Sequence, residues 1–320
     1  MLIESKFRPA LFCRSPHAQT ILANSIRKTP KVALTRERLE LDDGDFLDLD
    51  WTEYFPGKPV VLILHGLEGS SESNYAAGIL KACSGQKLNA VLMHSRGCSG
   101  EPNRLLRRYH AGSTDDMARV AELILTRWPE QPLYAVAYSL GGNALLKWLG
   151  ETGKTNPLAG AVAVSVPFDL SACARRMEHG FSRFYQHHLL QKMKALAIEK
   201  RELIAAQMSF PDLNKMKTFT DFDDVLTAPV HGFDGAAHYY SASSSKQFLS
   251  GIQKPTLIIQ ALDDPFMYAH SMPNEQQLSS STTLEWSLHG GHVRFIHQDS
   301  TRRYWLEHRI PEWIQGQLTS

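Results

Sequence analysis

Five residues, Ala137-Tyr-Ser-Leu-Gly141, carry the clearest chemical signal in the chain. They lie between an apolar run that begins at Leu133 and a helical pattern that begins at Leu140. A serine at the apex of a sharp strand-to-helix turn tolerates only small residues two positions to either side, which here are Ala137 and Gly141. Such a turn holds the hydroxyl clear of the sheet, where a histidine can deprotonate it. The pentad therefore predicts that Ser139 is a nucleophile.

A nucleophilic serine needs a base and a carboxylate that orients the base. Two neighbouring acids, Asp263 and Asp264, follow the strand-like run 255–260, so either could lie at the carboxyl edge of a sheet. The usual pattern places the acid three residues after a small residue that ends the strand, and Ala261 holds that place. We therefore predict Asp264 as the orienting acid and keep Asp263 as its competitor.

The base is predicted in the glycine-containing loop after the strand-like run 283–286. His289 and His292 both lie in this loop, and the two glycines between them favour His292, because they let the loop bring the imidazole over the sheet. Each of these residues alone would be an ordinary loop residue. Ser139, Asp264 and His292 in this order, each after a strand, indicate a serine hydrolase triad.

The dipeptide His65-Gly66 follows the apolar run 59–64 and predicts a turn that presents a backbone N–H group. We expect that donor to be Leu67. The second donor would be Leu140, the residue after the nucleophile. Two such groups would stabilise the oxyanion of a tetrahedral intermediate. His65 is interpreted as a brace for this turn.

The composition excludes several classes of partner. In 320 residues, 34 Lys and Arg nearly balance 33 Asp and Glu, so no field of one sign is available to hold a phosphate backbone, and we expect no nucleic acid partner. Four scattered cysteines without a C-x-x-C pair indicate reduced thiols and a cytoplasmic location.

No cofactor or metal is expected, because the chain lacks H-E-x-x-H, paired C-x-x-C, a Walker A string and a G-x-G-x-x-G after its first core strand. The first twenty residues do not have the apolar core of a secretory signal. The longest apolar runs are strand-length, so we expect no transmembrane segment, and any membrane contact would have to be peripheral.

The hydrophobic pattern predicts an α/β architecture. Short continuous apolar runs alternate with helical patterns at about 72–84, 113–128 and 140–150, which is typical of a mostly parallel, doubly wound sheet. The predicted parallel strands are 59–64, 89–93, 133–137, 159–164 and 255–260. Before them, 34–41 and 46–53 alternate like antiparallel edge strands, and the first thirty residues are predicted as an irregular arm with a short helix around 19–26.

One stretch, about 167–250, breaks the alternation. It contains an amphipathic helical segment over 184–207 and an aromatic-rich portion over 219–240. We predict a single domain whose core is about 30–166 and 251–320, with 167–250 inserted as a helical cap over the active site. The apolar stripe of the cap either packs on the core or walls an acyl pocket.

The strings Arg96-Gly-Cys-Ser-Gly100 and Tyr109-His-Ala-Gly112 go beyond a general hydrolase pattern. With the arm 16–21, the stretch 227–240 and the site motifs in the same order, they resemble the YheT-like α/β-hydrolases, also called the AB hydrolase 4 family. This family includes eukaryotic membrane-associated lipid hydrolases and yeast medium-chain ethyl-ester synthases. The resemblance covers nearly the whole chain, with Ala137 replacing the usual glycine as one departure.

The resemblance implies the α/β-hydrolase fold and a serine esterase whose charge-relay residues are Ser139, Asp264 and His292. We therefore predict a carboxylic-ester hydrolase that acts on a small-molecule acyl ester through an acyl-enzyme and needs no cofactor. Alternatives on the same scaffold are alcoholysis by an acyltransferase and thioester hydrolysis. The alternative from another class is a hydrolase-fold protein that only binds a lipid or a partner.

Overall fold

Nine strands form one sheet in the part of the chain that the structure describes. The computed structural model describes residues 1–319, with the side chains of 22–26 excepted. The strands are β1 (Leu2–Glu4), β2 (Thr35–Glu40), β3 (Phe46–Trp51), β4 (Val60–Leu64), β5 (Asn89–Met93), β6 (Leu133–Tyr138), β7 (Gly160–Val164), β8 (Thr256–Ala261) and β9 (Thr282–Ser287). Their order across the sheet is β1-β9-β8-β7-β6-β4-β5-β3-β2.

The centre of the sheet is parallel and buried on both faces, as its continuous apolar runs predict. Every residue of β4, β5, β6, β7 and β8 is buried. Strand β4 lies between β5 and β6, so the chain order reverses at this point. In open α/β sheets ligands bind at such a reversal, outside the carboxyl ends of the strands. The predicted fold class, a mostly parallel α/β sheet, is confirmed.

Helices cover the two faces of the sheet. Leu62 of β4 packs into a cluster with the helices Asp115–Arg127 and Leu140–Thr152, whereas Ile63 packs into a cluster with the helices Asn74–Gly85 and Leu306–Gln317 on the opposite face. This alternation follows from the period of two in a strand. The helices are α1 (Pro16–Ile26), α2 (Asn74–Gly85), α3 (Asp115–Arg127), α4 (Leu140–Thr152) and α11 (Leu306–Gln317).

The outer strands β2 and β3 are antiparallel and carry charged cross-strand pairs. Arg36 lies opposite Asp50 and Arg38 opposite Asp48, and each guanidinium bonds both carboxylate oxygens at 2.8–2.9 Å. Charged side chains along an edge strand disfavour pairing with another chain. We infer that these pairs protect this edge of the sheet.

Six α-helices lie between β7 and β8, within the predicted insertion 167–250. We call these residues the inserted segment. A π-helical turn, Asp223–Thr227, joins two of its short helices into one stretch. The predicted helical segment over 184–207 is two helices separated at Lys200. The helices are α5 (Leu170–Met177), α6 (Ser182–Glu199), α7 (Arg201–Ala205), α8 (Phe219–Phe222), α9 (Ala228–Val230) and α10 (Ala236–Ser243).

The first thirty residues are more regular than the sequence predicts. Leu2–Glu4 forms β1, which pairs in parallel with β9, and α1 begins at Pro16, earlier than the helix expected around 19–26. A three-residue strand is too short to show a recognisable hydrophobic pattern. Its pairing partner lies some 280 residues away, so no neighbouring segment indicates the strand either. Within residues 1–319, no helix has both the length and the apolar character needed to cross a bilayer.

Candidate active site

Ser139 lies at the apex of the turn between β6 and α4, with a left-handed backbone φ of +51°. The turn brings its neighbours very close: a Cβ on Gly141 would collide with the carbonyl oxygen of His65. Only glycine fits there. Ala137, which replaces the usual first glycine, is fully buried in β6 beside Leu64 and Ala163 and is accommodated without distortion of the strand pairing.

The structure brings Ser139, Asp264 and His292 together, although they lie far apart in sequence. His292 Nε2 is 2.9 Å from Ser139 Oγ, and His292 Nδ1 is 2.8 Å from Asp264 Oδ2. Asp264 is 3% exposed and His292 6%. With Nδ1–H donating to the carboxylate, the lone pair on Nε2 faces the serine hydroxyl, which is the arrangement that general-base catalysis requires.

The neighbouring acid, Asp263, faces a different histidine. One of its oxygens lies 3.2 Å from His289 Nδ1, and the other accepts a 3.0 Å hydrogen bond from the Gly291 N–H. Burial raises the pKa of the Asp263 carboxyl. The second oxygen of Asp264, in contrast, accepts from the Phe266 N–H at 2.9 Å. Asp263 thus braces the glycine-containing loop, and Asp264 lies against the imidazole of His292.

Several side chains that the sequence did not single out for the site hold His292 in place. Its backbone N–H donates to Thr20 Oγ1 at 3.1 Å, and the buried Gln19 side chain bonds both the N–H and the C=O of Ile296. The Phe266 ring stacks on the imidazole, with centroids 3.9 Å apart and planes 5° from parallel. The arm motif 16–21, which carries part of the family resemblance, is the sequence signal that points to Gln19 and Thr20.

The turn after β4 lies directly beside Ser139, because β4 and β6 are neighbours with Leu64 opposite Ala137. A Cβ on Gly66 would sit 3.1 Å from the Cβ of Ser139, so glycine permits this close approach. His65 braces the turn: its Nδ1–H donates to the Gly66 C=O at 2.7 Å, and its Nε2 accepts from the Ser95 N–H at 3.0 Å. Burial lowers the pKa of His65 to about 4, so this imidazole stays neutral.

The hydrogen bonds of this turn leave one N–H group over. The Gly66 N–H donates to Tyr75 Oη, the Glu68 N–H to Tyr109 Oη, and the Gly69 N–H to the Gly66 C=O. Among the described residues, the N–H of Leu67 has no such acceptor. The N–H of Leu140, in the first turn of α4, also lacks an acceptor among residues 1–319, because the first N–H groups of a helix have no partner within the helix.

A cavity of about 530 Å³ lies beside Ser139 and His292. The core and the inserted segment both line it. Its apolar lining includes Leu106, Leu140, Leu170, Phe184, Leu189, Met193, Leu196, Ile204, Phe222 and Leu226. The volume falls within the range of small-molecule sites, and the apolar wall suits an acyl chain. No three His, Cys, Asp or Glu side chains among the described residues are grouped closely enough to hold a metal ion.

Comparison with known proteins adds independent information. The family model described as "alpha/beta hydrolase fold" matches residues 59–298. The Escherichia coli (strain K12) protein named "Putative esterase YheT" is 42% identical over 98% of this chain and 94% of its own length. The mouse protein named "Phospholipase ABHD3" is 26% identical over 92% of this chain and 74% of its own length. An esterase of Pyrococcus furiosus, Pf2001, superposes with a TM-score of 0.58 at 13% identity, covering 98% of both chains.

Proposed function

The chain belongs to the alpha/beta hydrolase fold family, and on that premise we propose that it is a serine carboxylic-ester hydrolase in which Ser139, Asp264 and His292 form the catalytic triad. The resemblance to YheT-like hydrolases is confirmed. The observation that carries the proposal is the continuous chain of contacts from Asp264 through His292 to Ser139, at 2.8 and 2.9 Å. A protein that only binds a ligand has no need of all three groups in line. The cytoplasmic location stays a prediction.

In the proposed first half-reaction, His292 Nε2 takes the proton of Ser139 Oγ while that oxygen bonds the ester carbonyl carbon. Asp264 holds the imidazole in the required tautomer and stabilises the imidazolium that forms. Nε2–H then protonates the leaving alkoxide, and the alcohol departs. The acyl-enzyme remains, and water deprotonated by the same imidazole attacks its carbonyl carbon. The bond from that carbon to Oγ then breaks, Nε2–H returns the proton to Ser139, and the carboxylic acid leaves.

The N–H groups of Leu67 and Leu140 are the proposed donors to the oxyanion. Both belong to turns braced by hydrogen bonds, so they need no reorganisation when negative charge develops. One donor of this kind lowers the barrier by roughly 3–4 kcal/mol. The inserted segment 167–250 is, in this proposal, a cap that helps to enclose the acyl pocket.

Ser139→Ala tests the assignment of the nucleophile. We expect hydrolysis of p-nitrophenyl esters to fall on the order of 10⁶-fold in kcat and labelling by a fluorophosphonate probe to disappear. Ser241→Ala is the matched control, because this serine is exposed on α10 and its hydroxyl donates to the His238 C=O of the same helix. A Ser139→Ala protein that still took up the probe would contradict the proposal.

A further inference from the structure

Asp223 is a buried carboxyl in the candidate site that the proposed mechanism does not use. It lines the cavity and is 8% exposed. It begins the π-helical turn Asp223–Thr227, and such turns occur frequently at functional sites. Thr227 and Tyr240 belong to the family-like stretch 227–240, for which the triad gives no reason. A carboxyl held in a substrate cavity needs an explanation.

The partners of Asp223 are neutral. One oxygen accepts from Thr227 Oγ1 and the other from Tyr240 Oη, both at 2.7 Å. Within residues 1–319 no Lys, Arg or His forms an ion pair with it, and burial raises its pKa to about 6. A carboxylate has acceptor sites for about four hydrogen bonds. Two sites therefore remain for a donor that enters the cavity.

The apolar lining around the site divides into two clusters. One contains Met193, Ile204 and Phe222, and Leu67 packs against it. The other contains Tyr239 and Tyr240, and Leu140 packs against it. Because Leu67 and Leu140 are the proposed oxyanion donors, an ester carbonyl would lie between the two clusters. The first cluster suits the acyl chain, and the second, with Asp223 bonded to Tyr240, suits the alcohol portion.

The charges that line the cavity disfavour a cationic ligand. His110 and His231 line the cavity with ring centroids 4.6 Å apart. Burial, together with the nearby Arg107 and Arg108, lowers the pKa of His231 to about 4. Burial and the neighbouring His231 lower the pKa of His110 to about 3. Both imidazoles are neutral at physiological pH and can form hydrogen bonds with a ligand, while the ammonium groups of Lys192 and Lys200, which line the same cavity, oppose the entry of a cation.

We propose that Asp223, together with Tyr240 and His231, binds the hydroxyl groups of the alcohol portion of the substrate. The preferred substrates are then acyl esters of a polyol. This inference rests on the proposed esterase function and adds the substrate class to it. Asp223 is the specificity-determining residue, because a site built to bond a hydroxyl discriminates strongly against an analogue that lacks it.

Two esters with the same acyl chain, 1-octanoylglycerol and propyl octanoate, test this inference. Both alcohols have three carbons, but only the glycerol ester carries free hydroxyl groups. We expect the wild-type kcat/KM to favour the glycerol ester on the order of 10- to 100-fold, the range for a hydrogen bond to a charged group. Asp223→Asn should remove most of this preference by lowering kcat/KM for the glycerol ester more than kcat/KM for propyl octanoate. Tyr240→Phe, which deletes one partner of Asp223, should reduce the preference partly.

Asp224→Asn is the matched control, because this neighbouring acid is exposed and bonds the Ala236 N–H outside the cavity. It should keep the full preference. Equal wild-type rates on the two esters would overturn the inference, as would an Asp223→Asn protein, or a folded Tyr240→Phe protein, in which both rates fall equally. A preference for octanoylcholine over both esters would also overturn it. Hydrolysis of none of these esters would overturn the proposed esterase function itself.

Discussion

Ser139 at φ +51° and Val293, next to His292, at φ +58° have a left-handed backbone that non-glycine residues rarely adopt. Such a conformation costs on the order of 1–3 kcal/mol and persists only where neighbours enforce it. The end of β7 supplies both restraints. The Ser139 N–H donates to the Val164 C=O at 2.8 Å, and the Val293 N–H donates to Ser165 Oγ at 3.0 Å. One strand end thus fixes the serine and the histidine relative to each other.

At the same scale, replacing each of the two neighbouring acids by asparagine in turn separates their roles. Asp264→Asn should reduce kcat on the order of 10⁴-fold, because an amide opposite Nδ1 favours the wrong imidazole tautomer. Asp263→Asn should cost less than about tenfold, since its amide oxygen can still accept from the Gly291 N–H. Steady-state kinetics on a short p-nitrophenyl ester measures both effects. The reverse ranking would show that Asp263 is the orienting acid.

At the scale of elements, α6 joins three parts of the chain. Its Tyr185 lies 5.1 Å, centroid to centroid, from Phe266, the ring that stacks on His292. The hydroxyl of Tyr185 is also 3.1 Å from His17 Nδ1 in the N-terminal arm. The inserted segment therefore contacts both the loop of Phe266 and the N-terminal arm, in addition to lining the cavity. A change in α6 can affect substrate binding and catalysis separately, according to which face it alters.

Met193 on α6 tests whether the inserted segment sets the acyl-chain preference. Its side chain is 7% exposed and lines the cavity, so Met193→Ala should enlarge the acyl pocket. We expect the kcat/KM ratio of long to short p-nitrophenyl esters to rise about tenfold, because a methylene-scale change in an apolar pocket alters binding by roughly 1–3 kcal/mol. Activity on the acetate ester should stay near the wild-type level.

Ile198→Ala is the control for this change, because Ile198 lies on the same helix but is 57% exposed and outside the cavity lining. Thermal unfolding of both variants separates a loss of packing from a change in the pocket. If Met193→Ala altered all chain lengths equally, specificity would have to come from the core loops.

At the scale of the whole molecule, buried neutral histidines link stability to pH. Burial lowers the pKa of His65 to about 4, of His110 to about 3 and of His231 to about 4. In the unfolded chain each imidazole has a pKa of about 6.5. Between pH 6.5 and 4 the unfolded chain binds protons that the folded protein excludes. The stability from these groups is thus fully present above pH 6.5 and is lost as the pH falls towards 4.

The thermal unfolding midpoint should therefore fall steeply between pH 6.5 and 4.5. His65 alone accounts for roughly 3 kcal/mol over its full range, since one unit of pKa shift corresponds to about 1.4 kcal/mol. His65→Asn should be less stable than the wild type at pH 7 and show a shallower decline. His187→Asn, a change at an exposed position of α6, should leave the profile unaltered. A wild-type midpoint that stayed constant over this range would contradict the interpretation.

The sequence by itself determined the architecture and the candidate residues. Parallel strands buried on both faces are continuous apolar runs, so the central strands and the helices between them were visible locally. The elbow was equally visible, because the turn at Ser139 needs small residues at fixed offsets. The order of Ser139, Asp264 and His292 placed each candidate after a strand, and parallel strands bring such positions to one edge of the sheet.

Only the tertiary structure decided how these residues are held. Asp263 and Asp264 are adjacent, and the path of the loop backbone turns one towards His289 and the other towards His292. Thr20 bonds the backbone of His292 across 272 positions of sequence, and β1 pairs with β9 over a similar separation. Asp223 becomes a candidate binding residue only because the folded chain places it in the lining of the cavity. Contacts between distant segments leave no local pattern, because neither segment needs a special sequence until the sheet has brought them together.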